Sequence, residues 1–442
     1  MKIAILGFAG QGQSAYGYWD KPENDITICD SDANAPVPKG VKSQLGKDSL
    51  KNLDRFDLLI RTPVLHPRQI LEANPDVPDI LEKVWTNTNE FLEVCPTRNI
   101  IGVTGTKGKG TTSTLITRML EAAGHRVHLG GNIGTPPLDM LSDGIQPDDW
   151  VVLELANFQL IDLKRSPHIA VCLMIEPEHL NWHADIDEYV EAKRQLFAHQ
   201  AEDDIAIYYA KNNYSRAIAG STKGLAIPYM SEPGAHVTDN ASGEEHIMID
   251  GHIICDLSDI NLLGRHNWQN VCAAVTTIWN ITQDTAAIRK TIAGFRGLPH
   301  RLEKVREVEG VRYYNDSFSS APGATVAALD AVKGAKVLIV GGVDKGLDLD
   351  ELARSMLMHK QELRRIIVIG EVAHKLEKEL EAHGLNNYDI LKNVTMSQIV
   401  ERAQQAAHSG DSVILSPGTS SFDMFKNFEE RGLQYKEAVN AL

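Results

Sequence analysis

The sequence predicts an α/β protein of three consecutive domains, each built around a parallel sheet. Short apolar runs of strand length alternate with charged, helix-like segments along most of the chain, which is the pattern of strand-helix-strand units. At 442 residues the chain also exceeds one ordinary core. A linking segment at 91–98 and a turn-rich passage at 294–300 divide the alternation into blocks of residues 1–92, 93–297 and 298–442.

In the first block the runs KIAILG, DITICD and FDLLIRT read as strands, the first at Lys2 to Leu6. The turn after it carries Gly7, Gly10, Gly12 and Ala15, a spacing that fits a dinucleotide or nucleotide-diphosphate fingerprint, and Asp30 ends the second strand where an acid would meet a ribose. A tight strand-to-helix turn without ligand explains the same glycines.

The second block opens on the strand Ile100 to Val103 and runs directly into GVTGTKGKGTTS, Gly102 to Ser113. This reads as a phosphate-binding loop. Gly105, Gly108 and Gly110 let backbone N–H groups turn inward, a helix beginning near Thr111 supplies its positive dipole end, and Lys109 can reach terminal phosphates. The common pattern, G-x-x-x-x-G-K-[ST], has Val103 at its first glycine here and Gly110 after the lysine, so Thr111 must supply the hydroxyl to magnesium in an ATP site. Beyond it the block reads as a helix (112–123), strands at 150–155 and 169–175, and a long polar insertion around 211–260. The third block shows strands AKVLIVGG, RRIIVIG and DSVILSPG between charged helices.

A net charge of −15 argues against a nucleic-acid or anionic membrane surface as partner and leaves small molecules. Five cysteines, Cys29, Cys95, Cys172, Cys255 and Cys272, are widely spaced and mostly inside apolar runs, which reads as reduced core thiols. The chain enters its first strand without a signal peptide and has no apolar run long enough to span a membrane, so a soluble, cytoplasmic protein is expected, and a monomer is the expected state.

Several side chains fall where open α/β folds place ligands, beyond the carboxyl ends of strands. Glu154 closes WVVLEL and is placed like a magnesium-binding acid, or like a solvated strand-end acid. His179 follows AVCLMI, with His183 four residues on; on one helix face such a pair could bind zinc, although no further ligand completes the set. Lys193 reads as a surface lysine. Arg301, in GLPHRLE, suits a clamp on a γ-phosphate or a surface ion pair. Asp316 follows VRYYN, while Lys345 in GGVDKGLD and Ser421 in SPGTSSFD follow strands of the third block. Asn267 and Asn270 lie three apart, where their amides could read an adenine edge, or Asn267 could cap a helix.

Taken in order, the motifs GTKGKGTTS, GGNIGTP, LELANFQL, GRHNWQN, GLPHRLE, NDSFSS, GGVDKG and SPGTSSFDMFKNFEERG resemble the Mur ligase family, ATP-dependent amide-forming enzymes of peptidoglycan precursor assembly, with folylpolyglutamate synthases as relatives. The resemblance covers essentially the whole chain, and the last motif is the most specific to the branch that adds D-glutamate to UDP-N-acetylmuramoyl-L-alanine. It implies an N-terminal Rossmann-like domain for the UDP moiety, a central P-loop ATPase domain and a C-terminal Rossmann-like domain for the amino acid. By position it implies that Gly105, Thr106, Gly108, Lys109, Gly110, Thr111 and Thr112 bind ATP, and that Thr111, Glu154, His179 and a carbamylated Lys193 hold Mg²⁺. It further implies that Asn270 contacts adenine, Arg301 the γ-phosphate, and Asp316 the ribose or the domain hinge. Gln11, Asp30 and Ser31 would contact UDP, and Asn132, Gln159 and His183 the muramoyl-alanine part; Ser320, Lys345, Ser421 and Phe428 would hold D-glutamate.

The chain departs from the family pattern at Lys107, Gly110, Ala156, Asn157 and Met174, at Val64 beside the UDP positions, and at Phe318, where a lysine is usual in the amino-acid pocket. A ligase for another amino acid or for folate, an inactive nucleotide-binding regulator, and a nicotinamide-dependent dehydrogenase using Gly7 to Ala15 are the other readings; the last leaves the phosphate loop unexplained.

Overall fold

The computed structural model describes residues 1–239, 243–262, 264–344, 346 and 348–442. They form two compact units, Met1–Ile260 with His266–Gly294, and Asn261–Arg265 with Phe295–Leu442. The fold is α/β with three parallel-strand bodies, two in the first unit and one in the second.

The first body is a parallel sheet of β1 (Lys2–Leu6), β2 (Asp25–Asp30), β3 (Lys42–Leu45), β4 (Leu58–Arg61) and β5 (Val84–Trp85), in the order β3-β2-β1-β4-β5. Alternation assigns its side chains to opposite faces. Ala4, Leu6, Cys29 and Leu59 enter one core cluster with Ile70, whereas Ile3, Ile5, Ile26 and Ile60 enter the other with Ala15. The turn after β1 lies where the strand order reverses. Gly7 adopts φ +96°, and a Cβ there would come within 2.3 Å of Thr62 Oγ1, so this glycine is demanded by backbone conformation and by the approach of β4's end.

The second body is again parallel: β6 (Ile100–Thr104), β7 (Val127–Gly131), β8 (Trp150–Glu154), β9 (Ile169–Cys172), β10 (Ile205–Tyr209) and β11 (Leu225–Tyr229), ordered β11-β10-β9-β6-β8-β7. β6 lies between β8 and β9, with Val103 opposite Glu154 and Thr104 opposite Cys172. The glycine loop therefore leaves the sheet with Glu154 on one side and the segment after β9 on the other. That segment departs from the sheet three residues earlier than expected: Leu173 N–H makes the last ladder bond, to Thr104 O, and beyond it Met174 O accepts from Thr106 N–H across the loop. The following helix, Lys109–Ala122, begins before the expected 112, directly behind Gly108 with its φ of +87°.

The region read as a polar insertion has regular structure of its own among the described residues. It holds a helix, Asn213–Ala219, strand β11, and an antiparallel sheet of β12 (His236–Asp239), β13 (Glu245–Ile249) and β14 (His252–Asp256). Asp250 and Gly251, both at positive φ, join β13 to β14, the residue pair favoured by two-residue hairpins.

In the second unit the sheet order is β15-β16-β20-β17-β18-β19, from β15 (Glu303–Val308), β16 (Val311–Asn315), β17 (Lys336–Gly341), β18 (Leu363–Ile369), β19 (Tyr388–Leu391) and β20 (Ser412–Leu415). In this sheet β15 pairs antiparallel with β16, and the remaining described pairs are parallel. Clusters on both faces, around Leu338 and Ile366 on one side and Ile339 and Val413 on the other, account for the continuous apolar runs. All five cysteines are unpaired, and four of them are buried.

The two bodies of the first unit are joined by a buried ion pair. Arg61, at the end of β4 and 1% exposed, donates through Nε and Nη2 to both oxygens of Asp162 at 2.5 and 2.7 Å, and its remaining donors meet the carbonyls of Leu65 and Phe158. In the second unit Asp316, just past β16, accepts from Leu302 N–H through Oδ1 and from the Ser319 and Ser416 hydroxyls through Oδ2.

Removing one partner of a buried pair strands the other charge, so Asp162→Ala should cost the first unit about 3 kcal/mol in chemical denaturation. Burial raises the Asp316 carboxyl from 3.8 to about 6 against the pull of its hydrogen bonds. The folded unit thus holds that proton more tightly than the unfolded chain, and the stabilisation is complete below about pH 4 and lost as pH rises through about 6. Melting curves across that window should show Asp316→Asn lacking this part of the parent's decline.

Candidate functional site

The site is built around the glycine loop. Gly108 needs its left-handed conformation to start the helix, and a Cβ there would come 2.2 Å from Asn270 Oδ1. Asn270 thus lies directly beneath the loop. It is held by its own Nδ2 donating to Asn267 Oδ1 and by Thr112 Oγ1 at 3.5 Å. Asn267 is inside the helix His266–Trp279 and is not its cap. Thr112 is fully buried and turned toward Asn270, whereas Thr111 in the same turn is only half-buried. Lys109 Nζ donates to the carbonyls of Gly105 and Thr106, curling over the loop.

Beside the loop, Glu154 is 3% exposed at the end of β8. Asn132 donates to its Oε1 at 2.8 Å, while Oε2 is buried without a hydrogen-bond partner. A buried carboxylate oxygen left in that condition is costly unless something binds it. Glu154 is therefore no solvated strand-end acid.

Lys193 is fully buried, contrary to its reading as a surface residue. The helix Ile186–Ala198 turns Tyr189, Val190, Ala192, Lys193, Leu196 and Phe197 inward, and Lys193 lies four residues after Tyr189 on that face. Its Nζ donates to Gly105 O at 3.0 Å and rests 4.6 Å above the Tyr189 ring. Burial, with the Lys109 charge adding to it, lowers the Lys193 ammonium to about 7, so a large share is neutral amine at neutral pH.

His179 sits at φ +57° in the turn after β9, 4.8 Å from the Phe158 ring, and burial followed by the nearby lysine charges lowers its pKa. His179 and His183 precede the helix that starts at Ile186 and do not share a helix face. His183 is buried instead against Asn157, whose Nδ2 is 2.8 Å from Nε2, and its Nδ1 lies 3.3 Å from Glu188. Gln159 is also buried, its Oε1 accepting from Ala156 N–H.

In the first body Asp30 Oδ2 accepts from Phe8 N–H and Oδ1 from Asp32 N–H, Gln11 accepts from Asn87, and Ser31 is exposed. All three face the turn after β1 or the end of β2. In the second unit Phe428 opens the helix Phe428–Asn440, its ring 5.0 Å from that of Phe318. The Arg301 guanidinium lies 3.9 Å above the Phe318 ring. Ser421 is buried and Ser320 exposed. Asp316 has both oxygens engaged within the unit and ties the turn at Leu302 to the ends of β16 and β20. Lys345 lies outside the described residues.

Three residues were missed by sequence reasoning. Tyr189 places its hydroxyl 2.9 Å from Thr106 Oγ1 and so fixes the loop from below. Arg431 is fully buried, donating to Ser317 Oγ, Ser317 O and Thr419 O. Glu188 collects Arg68, His66 and Ala184 as donors. Tyr189 alone carried a readable signal, the apolar helix stripe shared with Lys193.

Residues 103–278 match the family model of the Mur ligase middle domain, and residues 300–418 that of the Mur ligase glutamate ligase domain. A UDP-N-acetylmuramoylalanine–D-glutamate ligase of Acetivibrio thermocellus is 37% identical over 100% of this chain and 96% of its own length. One of Symbiobacterium thermophilum is 36% identical over 100% and 98%. Among solved structures, MurF of Acinetobacter baumannii aligns with a TM-score of 0.61 at 16% identity, covering 99% of this chain and 93% of that one. The UDP-N-acetylmuramate–alanine ligase of Thermotoga maritima aligns at 0.59 and 14%, covering 100% and 99%. With whole-length relatives above 30% identity, two matching family models and the same fold, the chain belongs to the Mur ligase family, on the side of its UDP-N-acetylmuramoylalanine–D-glutamate ligases.

Proposed function

We propose that the chain is an ATP-dependent ligase that joins D-glutamate to UDP-N-acetylmuramoyl-L-alanine in peptidoglycan precursor synthesis. The whole-length relatives carrying that activity in their names support the substrates. The observation that carries the chemistry is the meeting of the glycine loop, the unpartnered Glu154 oxygen and the buried Lys193 at the carboxyl edge of one sheet.

The loop's N–H groups and the dipole of the helix Lys109–Ala122 orient a triphosphate, with Lys109 at the rim. Glu154, through its unpartnered oxygen, and Thr111 would supply hard-oxygen ligands to magnesium, and His179 would hold a second ion; bound there, magnesium would neutralise charge on the transferring phosphoryl group. Lys193 Nζ, as neutral amine, adds to carbon dioxide by forming an N–C bond and releasing a proton, which converts a buried amine into an anionic oxygen donor. The substrate carboxylate attacks the γ-phosphorus in line and ADP leaves. The amino-acid nitrogen then attacks the acyl carbon of the resulting acyl phosphate, loses a proton and expels phosphate. Asp30 and Gln11 orient the UDP end; Ser421, Phe428 and Arg431's support of Ser317 and Thr419 shape the amino-acid end.

Phe318 favours a second reading at that end. An aromatic ring capped by Arg301 replaces the lysine usual in the family, which suits a ligase of the same mechanism with a different amino acid.

Phosphate release with UDP-N-acetylmuramoyl-L-alanine should be fastest with D-glutamate in a panel of D- and L-amino acids; a clear preference for another amino acid selects the second reading. Lys109→Ala should abolish ADP formation and Thr111→Ala should lower kcat by about 100-fold or more, both with unchanged melting temperature. As pH falls through about 7 Lys193 becomes protonated, so turnover in carbon-dioxide-depleted buffer should drop there and recover on adding bicarbonate. Mass spectrometry of the native protein should show one added carbon dioxide, absent from Lys193→Ala.

A further inference from the structure

Glu188 stands at a junction that the proposed chemistry does not use. It lies in the first turn of the helix Ile186–Ala198 in the second body, but two of its partners belong to the first body. Arg68 Nη2 donates to Oε1 at 2.7 Å, and His66 Nε2 lies 3.4 Å from Oε2, which also accepts the Ala184 N–H. His66 is 8% exposed and its ring packs 4.2 Å from Trp182, whose Nε1 donates to Val64 O.

The tautomer of His66 decides what this cluster is. Its Nδ1 accepts the Arg68 N–H that caps the helix Pro67–Ala73, so the ring proton sits on Nε2 and points at Glu188. The ligand-type atoms of His66, His183 and Glu188 lie within 4.8 Å of one another, but a ring whose Nε2 carries the proton is a donor and not a metal ligand. The cluster is a hydrogen-bonded strut.

The other end of the strut is the glycine loop. Tyr189, next in sequence, meets Thr106 Oγ1, and Lys193, one turn further, meets Gly105 O. A single helical stretch of about one and a half turns, Glu188 to Lys193, therefore touches the first body through Glu188 and the loop through Tyr189 and Lys193. The His66–Glu188 contact spans 122 residues of sequence and is independent of the Arg61–Asp162 pair.

We propose that Glu188 is a positioning residue that couples the seating of the UDP substrate on the first body to the geometry of the glycine loop. The proposal rests on the ligase reading for the identity of the two ligands. Displacement of the first body is transmitted through His66 and Arg68 to the helix, and by Tyr189 to Thr106. Binding in one body then changes affinity in the other, and the change is reciprocal.

The experiment measures the dissociation constant of the non-hydrolysable ATP analogue AMP-PNP with Mg²⁺, with and without saturating UDP-N-acetylmuramoyl-L-alanine and without amino acid. In the unaltered protein the UDP substrate should change that constant by about fivefold or more. Glu188→Ala and His66→Ala should each bring the factor close to one while both ligands still bind singly, and the double variant should go no further. Glu188→Gln, whose amide oxygen still accepts from Ala184 and His66, should keep a factor above that of Glu188→Ala and guard against a folding artefact. A factor in Glu188→Ala equal to the parent's, or a parent factor of one with both ligands bound, overturns the strut. Failure of the unaltered protein to bind either ligand overturns the ligase reading itself.

Discussion

The first unit depends on a fully buried guanidinium. Arg61 leaves the end of β4 and is met by both oxygens of Asp162 and by carbonyls on either side, so a planar, permanently charged group is satisfied in a place where water cannot reach it. Asn89 adds a second seam, donating to Asp162 O and accepting from Lys164 N–H. Both seams are directional, unlike an apolar interface that tolerates sliding. They hold the end of β4 and the helix Asn87–Val94 against the segment around Asp162 and Lys164.

The second sheet shows the opposite use of burial. Here unsatisfied or destabilised polar groups are collected at one edge: a carboxylate oxygen with no partner, an ammonium lowered to about 7, and a histidine at positive φ. Each costs stability, and together they are sustained by a core of Val151, Leu153, Ala170, Cys172 and Leu196. Such a concentration where the strand order reverses is more than an ordinary glycine turn requires.

Much of this was readable in the chain. Strands buried on both faces appear as unbroken apolar runs, so β1, β2, β6, β17 and β18 stood out, and the glycine loop announced itself by composition. The hairpin at Asp250-Gly251 was equally legible from its residue pair and was lost inside a polar stretch. The burial of Lys193 was concealed by residue type, since a lysine on an apolar helix stripe looks like a stripe's edge. The Arg61 and Glu188 contacts could not be read at all. Their partners are 101 and 120 to 122 residues away, and nothing local marks an arginine at a strand end as one that will meet a specific acid on another body.

The close approach of Gly108 to Asn270 has an evolutionary consequence. Two neighbours from distant parts of the sequence share one space: the loop residue must lack a side chain so that the amide can sit under it, and the amide is held in place by Thr112 and Asn267. Drift at any one of the four is therefore visible to selection through the other three. Across descendants of this gene, positions 108, 112, 267 and 270 should be inherited as a linked set, changing together or not at all.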